Sequence, residues 1–430
     1  MKWLVLGMLF ILYVLNFADK SVLGLAADHV ISDLNLSFEQ FGIAGSSFYW
    51  FYAVGSILIA SLSLKFGTKR LIIFIAGGWT VSLLSAYFVN SLTGLIVIRV
   101  LLGFFEGGTL ALCMAHIAKW FIAGARGTAN AILLSGATFG AYLTAPILVK
   151  MLSSLGWQHT FAALGVGSLA WLIIFVFFKE EPKVKLESNV ATSEEQPKVS
   201  FGELLKIMVT PYFISILISF FSVMWIISWV VVWGPTYLTK IVGLTPDRMG
   251  IAFATIGISA AIISIIVGKF ADNLFAKTKS TFKSYITVAV GAMVIAAISF
   301  TATTFVTSPI LAILFLGLGI TMNNCIAPFT SSVVSSMVQP SQVGSILGFK
   351  TGFGSLAGII APLLTGFLVD IAGNDIRAGF NYGVFVSVGL FVLSAAFLYF
   401  SAKKVQVTKY KETIGDQEKV TPETPIADNM

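Results

Sequence analysis

The chain has 430 residues, 57% of them hydrophobic and only 11% charged, with a mean hydropathy of +0.91. A water-soluble domain carries about 25% charged residues, so the composition excludes a soluble globular protein and leaves an integral membrane protein. The formal charge of +7 is not a nucleic-acid footprint, because the 27 Lys and Arg side chains are sorted by loop rather than clustered.

Runs of about 18 or more mostly apolar residues mark twelve membrane spans. The first, Leu4–Ala26, is too long for a signal peptide core and lacks a small-residue cleavage site, so it is a membrane helix. It contains Asn16-Phe17-Ala18-Asp19-Lys20. The second, Gly42–Leu64, carries Phe48, Trp50 and Tyr52 and runs into Lys65-Phe66-Gly67-Thr68-Lys69-Arg70. Leu71–Val89 follows, then Leu92–Ala118 with Arg99, Gly103, Glu106 and, near its end, His116. The fifth span, Thr128–Leu152, carries Gly136-x-x-x-Gly140 and Pro146, which predict close packing and bending. Phe161–Phe178, preceded by Trp157, completes a first set of six.

Residues 181–207 are rich in charge, Ser and Pro and read as a linker. The second set is Tyr212–Leu238, Gly250–Phe270, Ile286–Thr304, Ile310–Val334, Gly344–Val369 and Tyr382–Ser401. Trp229 and Trp233 near the end of the seventh span read as interface anchors. Asn323 and Asn324 are polar at bilayer depth and could line a cavity or bond between helices. The expected organisation is a six-helix half at 1–180, a linker at 181–207, a second half at 208–402 and a disordered tail at 403–430. Cys113 and Cys325 fall in apolar spans and read as small buried side chains, with no disulfide framework and no metal-ligand spacing.

Lys150, Lys240, Arg248 and Arg377 lie in one set of alternate loops, and Lys20, Arg99 and Lys350 inside spans; the other twenty basic residues lie in the opposite set of loops. The positive-inside rule then places both termini and the linker in the cytoplasm.

The ionisable residues inside spans are the functional candidates. A charge at the bilayer centre costs at least ~2.5 kcal/mol, so each one needs a partner or a purpose. Asp19 lies roughly 22 Å along the first helix, and Glu106 near the centre of the fourth. Arg99 is two turns from Glu106 on the same face, roughly 10 Å nearer the outside, and Gly103 between them permits close helix approach. Lys350 enters from the other half, so Lys20 and Lys350 could face one cavity. Two carboxylates against three cations leave a positive excess, which protonation of Glu106 increases; such a site attracts an anion. Asp19 is the rival carrier of that proton. The alternatives stay open: Asp19 and Lys20 as a structural lock, Arg99 as a structural or gating residue, Lys350 as a side chain snorkelling to the surface. Tyr52, Thr351 and Asn323 are further candidate substrate ligands.

Two short segments carry a family resemblance. Lys65-Phe66-Gly67-Thr68-Lys69-Arg70 after the second helix and Gly268-Lys269-Phe270-Ala271-Asp272 after the eighth are complementary fragments of G-x-x-x-D-R-x-G-x-R-R, a pattern found at both places in the major facilitator superfamily. Leu64 stands where the first copy would have aspartate. Arg99-x-x-x-Gly103-x-x-Glu106-Gly107, Asp19-Lys20, Phe48-x-Trp50-x-Tyr52, Trp157-x-x-x-Phe161 and Trp233-Gly234-Pro235 together resemble the anion:cation symporter branch, with its sugar-acid importers and sialin-like transporters. The resemblance covers the chain up to about Ser401. It implies the major facilitator fold, an all-α membrane protein of twelve helices in two six-helix halves. It also implies alternating-access import of an organic anion, a carboxylate such as a sugar acid, by proton symport. Gly67, Arg70, Gly268 and Asp272 would act in gating. No enzyme activity, cofactor or metal is implied; H⁺ is the expected coupling ion, with Na⁺ open. The expected partners are the small anion and the lipid bilayer, around a functional monomer in the plasma membrane, a bacterial inner membrane by the resemblance.

The chain departs from the branch at Lys20, where arginine is usual, and at Ala137 and Ser56, where glutamines are common. Lysine lacks the bidentate fork for carboxylates, and the lost amides would have bonded hydroxyls, so a smaller organic anion fits as well. The alternative on the same fold is a proton-coupled drug or metabolite exporter. Its usual G-x-x-x-G-P-x-x-G-G pattern is not completed at Thr144-Ala145-Pro146-Ile147-Leu148. The absence of a P-loop argues against an ATP-driven pump.

Overall fold

The computed structural model describes residues 1–178, 206–338 and 340–420. Eleven helices there are long and apolar enough to cross a bilayer, and a bent pair counted as one span makes twelve. In chain order they are α1 (Lys2–Leu25), α2 (Phe38–Phe66), α3 (Thr68–Ser85), α4 (Leu92–Trp120), α5 (Ala125–Leu143 with Ala145–Leu155) and α6 (Trp157–Val176). Then come α7 (Pro211–Ile241), α8 (Pro246–Thr278), α9 (Phe282–Phe305), α10 (Pro309–Met337), α11 (Pro340–Ala372) and α12 (Ile376–Val420). Helices are what hydrocarbon demands, since each backbone N–H and C=O must be satisfied within the segment.

The ends of these helices follow local chemistry. Ser37 and Gln40 form a reciprocal capping box at the start of α2. Thr210 and Thr245 cap α7 and α8, each with proline in the first turn. Gly67, at φ +80°, makes the tight α2–α3 turn. The helices outrun the apolar windows, because helical backbone continues into the headgroup region beyond the hydrocarbon. The fifth span bends by 43° where a π-turn at Phe139–Leu143 meets Thr144, just before Pro146. A short helix, Ala27–Asp33, follows α1 and was not visible in the apolar pattern.

The expected linker lies outside the described residues except for Lys206 and Ile207. The tail expected to be disordered from residue 403 instead continues α12 as helix to Val420. Its lysines, glutamates and glutamines are good helix formers and carry the helix past Gly415. Residues 421–430 lie outside the described residues.

Close helix pairs are made at glycines. A Cβ on Gly103 or Gly107 of α4 would collide with the Phe48 or Tyr52 carbonyl of α2, and one on Gly140 of α5 with the Val14 carbonyl of α1. Between the halves, α2 and α11 run antiparallel. Phe38 meets Gly366, Gly42 meets Pro362 and Tyr49 meets Gly358. Gly24 of α1 touches the Val231 carbonyl of α7, and Gly250 and Gly257 of α8 meet Pro146 and Tyr142 of α5. All of these contacts lie in the half of the molecule away from the lysine-rich loops. The Asp370 carboxylate adds a cross-half latch there, accepting from Phe38 N–H (3.0 Å) and Glu39 N–H (2.8 Å) at the start of α2.

Toward the lysine-rich end the halves diverge. Thr351 lies two turns from Gly358 on the α2-facing side of α11 and is exposed, and built Cβ atoms on Gly348 and Gly352 meet open space. Among the described residues the molecule is therefore closed at one end and open at the basic end.

Candidate functional site

The buried charges of the first half converge between α1, α2 and α4. Asp19, Arg99 and Glu106 are each 2% exposed or less. Three turns of sequence chemistry bring this about. Asn16 and Lys20 are four residues apart and so share a face of α1. Gly103 and Gly107 let α4 approach α2 closely enough to seat Glu106 against that face. Phe17, Phe48 and Tyr52 supply aromatic walls.

Lys20 Nζ sits 3.3 Å from Glu106 Oε2 and donates to Asn16 Oδ1 at 2.6 Å. Asn16 Nδ2 donates to the same Glu106 Oε2 at 2.8 Å. The ammonium also lies over the Phe17 ring (4.4 Å), with Tyr52 and Phe48 at 5.5 and 5.6 Å, distances at which ring quadrupoles attract a cation. Its side chain keeps 12% exposure, whereas that of Glu106 has none.

The other oxygens are unpaired. Glu106 Oε1 and both Asp19 oxygens meet no hydrogen-bond donor, and the two carboxyls lie against one another. Two acceptors in contact in a buried site lack the donor that a single proton would provide. Arg99 Nε and Nη1 also lack acceptors, while its guanidinium stacks on Phe48 at 4.8 Å.

The second-half candidates lie elsewhere. Lys350 is 2% exposed, with Nζ bonded to Ser331 Oγ (2.6 Å) and Thr330 Oγ1 (3.4 Å) of α10, over the Phe220 ring of α7. Its ammonium is tucked behind the open face rather than presented toward Lys20. Thr351, next in sequence, is the residue on the open face, its hydroxyl bonded to Leu347 O. Asn323 donates to Val223 O of α7 at 3.4 Å, a helix–helix bond, and its Oδ1 is unpartnered. Tyr52 is half-buried beside Lys20.

Of the gating candidates, Gly103 and Gly67 have clear packing and turn roles, and Asp272 accepts from Tyr285 Oη. Arg70 lies on the first turn of α3. Gly268 makes no close approach, since a Cβ there would meet open space. Trp229 and Trp233 are buried rather than at a lipid interface, and Trp233 Nε1 donates to Pro362 O. The surrounding helices, not headgroups, claim these indoles because this end is closed. His116 is held between Thr68 and Trp120. Both cysteines are free and buried. Among the described residues no group of three His, Cys, Asp or Glu could hold a metal. Sequence reasoning missed Asn16 as a site residue; its one signal was an amide four residues before Lys20 in an apolar run.

The comparisons with known proteins agree with this architecture. The chain is 28% identical over 375 residues to the hexuronate transporter of Bacillus subtilis (strain 168), covering 85% of this chain and 87% of that protein. It is 25% identical over 399 residues to the probable sulfoacetate transporter SauU of Cupriavidus necator, covering 87% and 88%. A bacterial homologue of the human lysosomal transporter Spinster, solved inward-facing and unoccupied, superposes with a TM-score of 0.79 at 18% identity, over 94% of this chain and 97% of that one. The family model of the Major Facilitator Superfamily matches residues 9–328 and 283–426, and the chain belongs to that family of membrane transporters.

Proposed function

We propose that this protein imports a small organic anion together with protons by alternating access. The observation that carries the reading is the donorless contact of Asp19 and Glu106 beside Lys20. With the carboxyls unprotonated, Lys20 is held by Glu106. A proton shared by the two carboxyls supplies the missing donor and releases Lys20 to an incoming carboxylate or sulfonate. The anion and the proton thus favour each other's binding, which is the linkage that symport needs. Arg99, with two unpaired donors one layer away, adds to the positive field. The coupling ion in this reading is H⁺, with no cofactor. The relatives named for hexuronate and sulfoacetate support an organic acid as substrate. The loop charges support cytoplasmic termini, and hence a pathway open to the cytoplasm, in the plasma membrane of a bacterium. The transporting unit is the monomer, because the charge cluster is complete within one chain.

Proteoliposomes with an imposed proton gradient and a panel of labelled organic acids test this. Acid-outside accumulation of an anion is expected, abolished in Glu106→Gln while counterflow exchange persists. Accumulation that follows a Na⁺ gradient, or uptake indifferent to any gradient, overturns proton coupling. Acid-driven extrusion instead would favour the exporter.

A further inference from the structure

Among the described residues Asn16 is the side chain that hydrogen-bonds both members of the Lys20–Glu106 pair, and it is 1% exposed. Its amide orientation is fixed by chemistry. An ammonium has only donors, so it must face Oδ1; a carboxyl oxygen without a proton has only lone pairs, so it must face Nδ2. The 2.6 and 2.8 Å contacts have that arrangement. Glu106 Oε2 therefore receives two donors, Asn16 Nδ2 and Lys20 Nζ, while Oε1 receives none. Both lone pairs of Oε2 are engaged, so a proton arriving there would displace one of these two donors, whereas one arriving at Oε1 displaces none.

We propose that Asn16 is the positioning residue of the coupling site: its amide, clamped between Lys20 and one oxygen of Glu106, reserves the other oxygen for the transported proton. This rests on the reading of the Asp19–Glu106 pair as the proton carrier. It adds a division of labour within Glu106, one oxygen serving the cation and the other the proton. When Lys20 turns to a substrate anion, Asn16 remains on Oε2, so the proton stays on Oε1 while the anion is bound. The groups acting on Glu106 are Asp19 and Lys20 from α1 and Arg99 from its own helix, with Tyr52 of α2 beside Lys20. Asn16 is the member of this set with no proton to titrate.

The test is an infrared pH titration of the purified protein, reading the carboxylic C=O band, alongside proteoliposome uptake. Asn16→Leu is close in size and removes both hydrogen bonds; Asn16→Gln keeps the amide. In wild type a buried carboxyl band appears on acidification and disappears in Glu106→Gln. In Asn16→Leu the band is expected to shift in frequency and its midpoint to move up by about one pH unit, because the carboxylate has lost a donor. Proton-driven uptake should persist to correspondingly higher pH, with the anion KM within threefold of wild type and counterflow intact. Asn16→Gln should restore at least part of the wild-type midpoint. A wild-type titrating band that is unchanged in Asn16→Leu overturns the Asn16 assignment alone. Absence of the band from wild type overturns the carboxyl-pair reading beneath it. Should Asn16→Leu not fold, Asn16→Gln and Asn16→Ser carry the same comparison; a tenfold rise in KM with an unmoved pH profile in either makes Asn16 a substrate contact instead.

Discussion

Lys20 and Lys350 looked equivalent as sequence, each a cation inside an apolar helix, yet the structure gives them different surroundings. Lys20 is held by a carboxylate that can release it, at the edge of the open space; Lys350 is held by two hydroxyls and an aromatic face behind it. The expected outcome is that Lys20→Ala raises the anion KM tenfold or more, equivalent to about 1.4 kcal/mol or more of binding. Lys350→Met should change KM less than threefold. Competition binding of one transported acid to the two variants measures both, and equal losses would return Lys350 to the substrate site. Lys20→Arg should keep coupled uptake, since guanidinium can replace ammonium against Glu106 and adds a fork for carboxylate. Asp19, Arg99 and Glu106 were legible because a charge in hydrocarbon stands out whatever the fold. The placement of Lys350 was not. Lipid-facing and protein-facing sides of a membrane helix are both apolar, so the sequence pattern does not reveal which way a residue on α11 is turned.

At the scale of the element, glycine and helix ends decide where the halves hold together. The glycine on α4 next to the charge cluster was readable as a close-approach residue, and Gly103 packs on the Phe48 carbonyl as that reading requires. The Asp370 latch was not readable, because it joins residues 332 positions apart and an aspartate near a helix end is ordinary in sequence. Its chemistry is direct: a carboxylate accepts two N–H groups at the positive end of α2, whose first turn has unsatisfied donors. At the basic end of α2, Leu64 stands where the family pattern puts an aspartate. Asp370→Asn should weaken the closed end by about 0.5–1 kcal/mol, a two- to fivefold shift in favour of the state open there. Spin labels at the exposed residues Asn35 and Asn374 on opposite halves report it. A longer-distance population should grow in the variant, and an unchanged distance distribution would rule out a latch role for Asp370.

For the whole molecule, one site serves two sides only if closing the basic end depends on what is bound. The helices already supply the geometry: α2 and α11 touch from Phe38–Gly366 to Tyr49–Gly358 and part beyond it. A ligand can move this equilibrium only by its differential affinity for the two states, and a swing from 1:99 to 99:1 requires about 5.5 kcal/mol. An anion alone would leave Lys20 divided between it and an ionised Glu106, and a proton alone would leave an uncompensated cation; each resists enclosure in a dry site. Together they neutralise it, so of the bound forms only the pair should favour closure at the basic end, while the empty carrier returns with Lys20 paired to Glu106. Thr351 lies on the face that would be covered, which makes it the reporter. In Thr351→Cys, with the buried native Cys113 and Cys325 as background, an impermeant thiol reagent applied at the basic end should react readily in the empty protein. Anion at alkaline pH, or acid pH alone, should leave that rate nearly unchanged, whereas anion at acid pH should lower it severalfold. Adding Glu106→Gln, which fixes that side chain in a neutral form, should allow the anion to protect at alkaline pH as well. Protection by anion alone in the Glu106 background would mean that closure does not wait for the proton, and the charge-neutralisation account of coupling would fall.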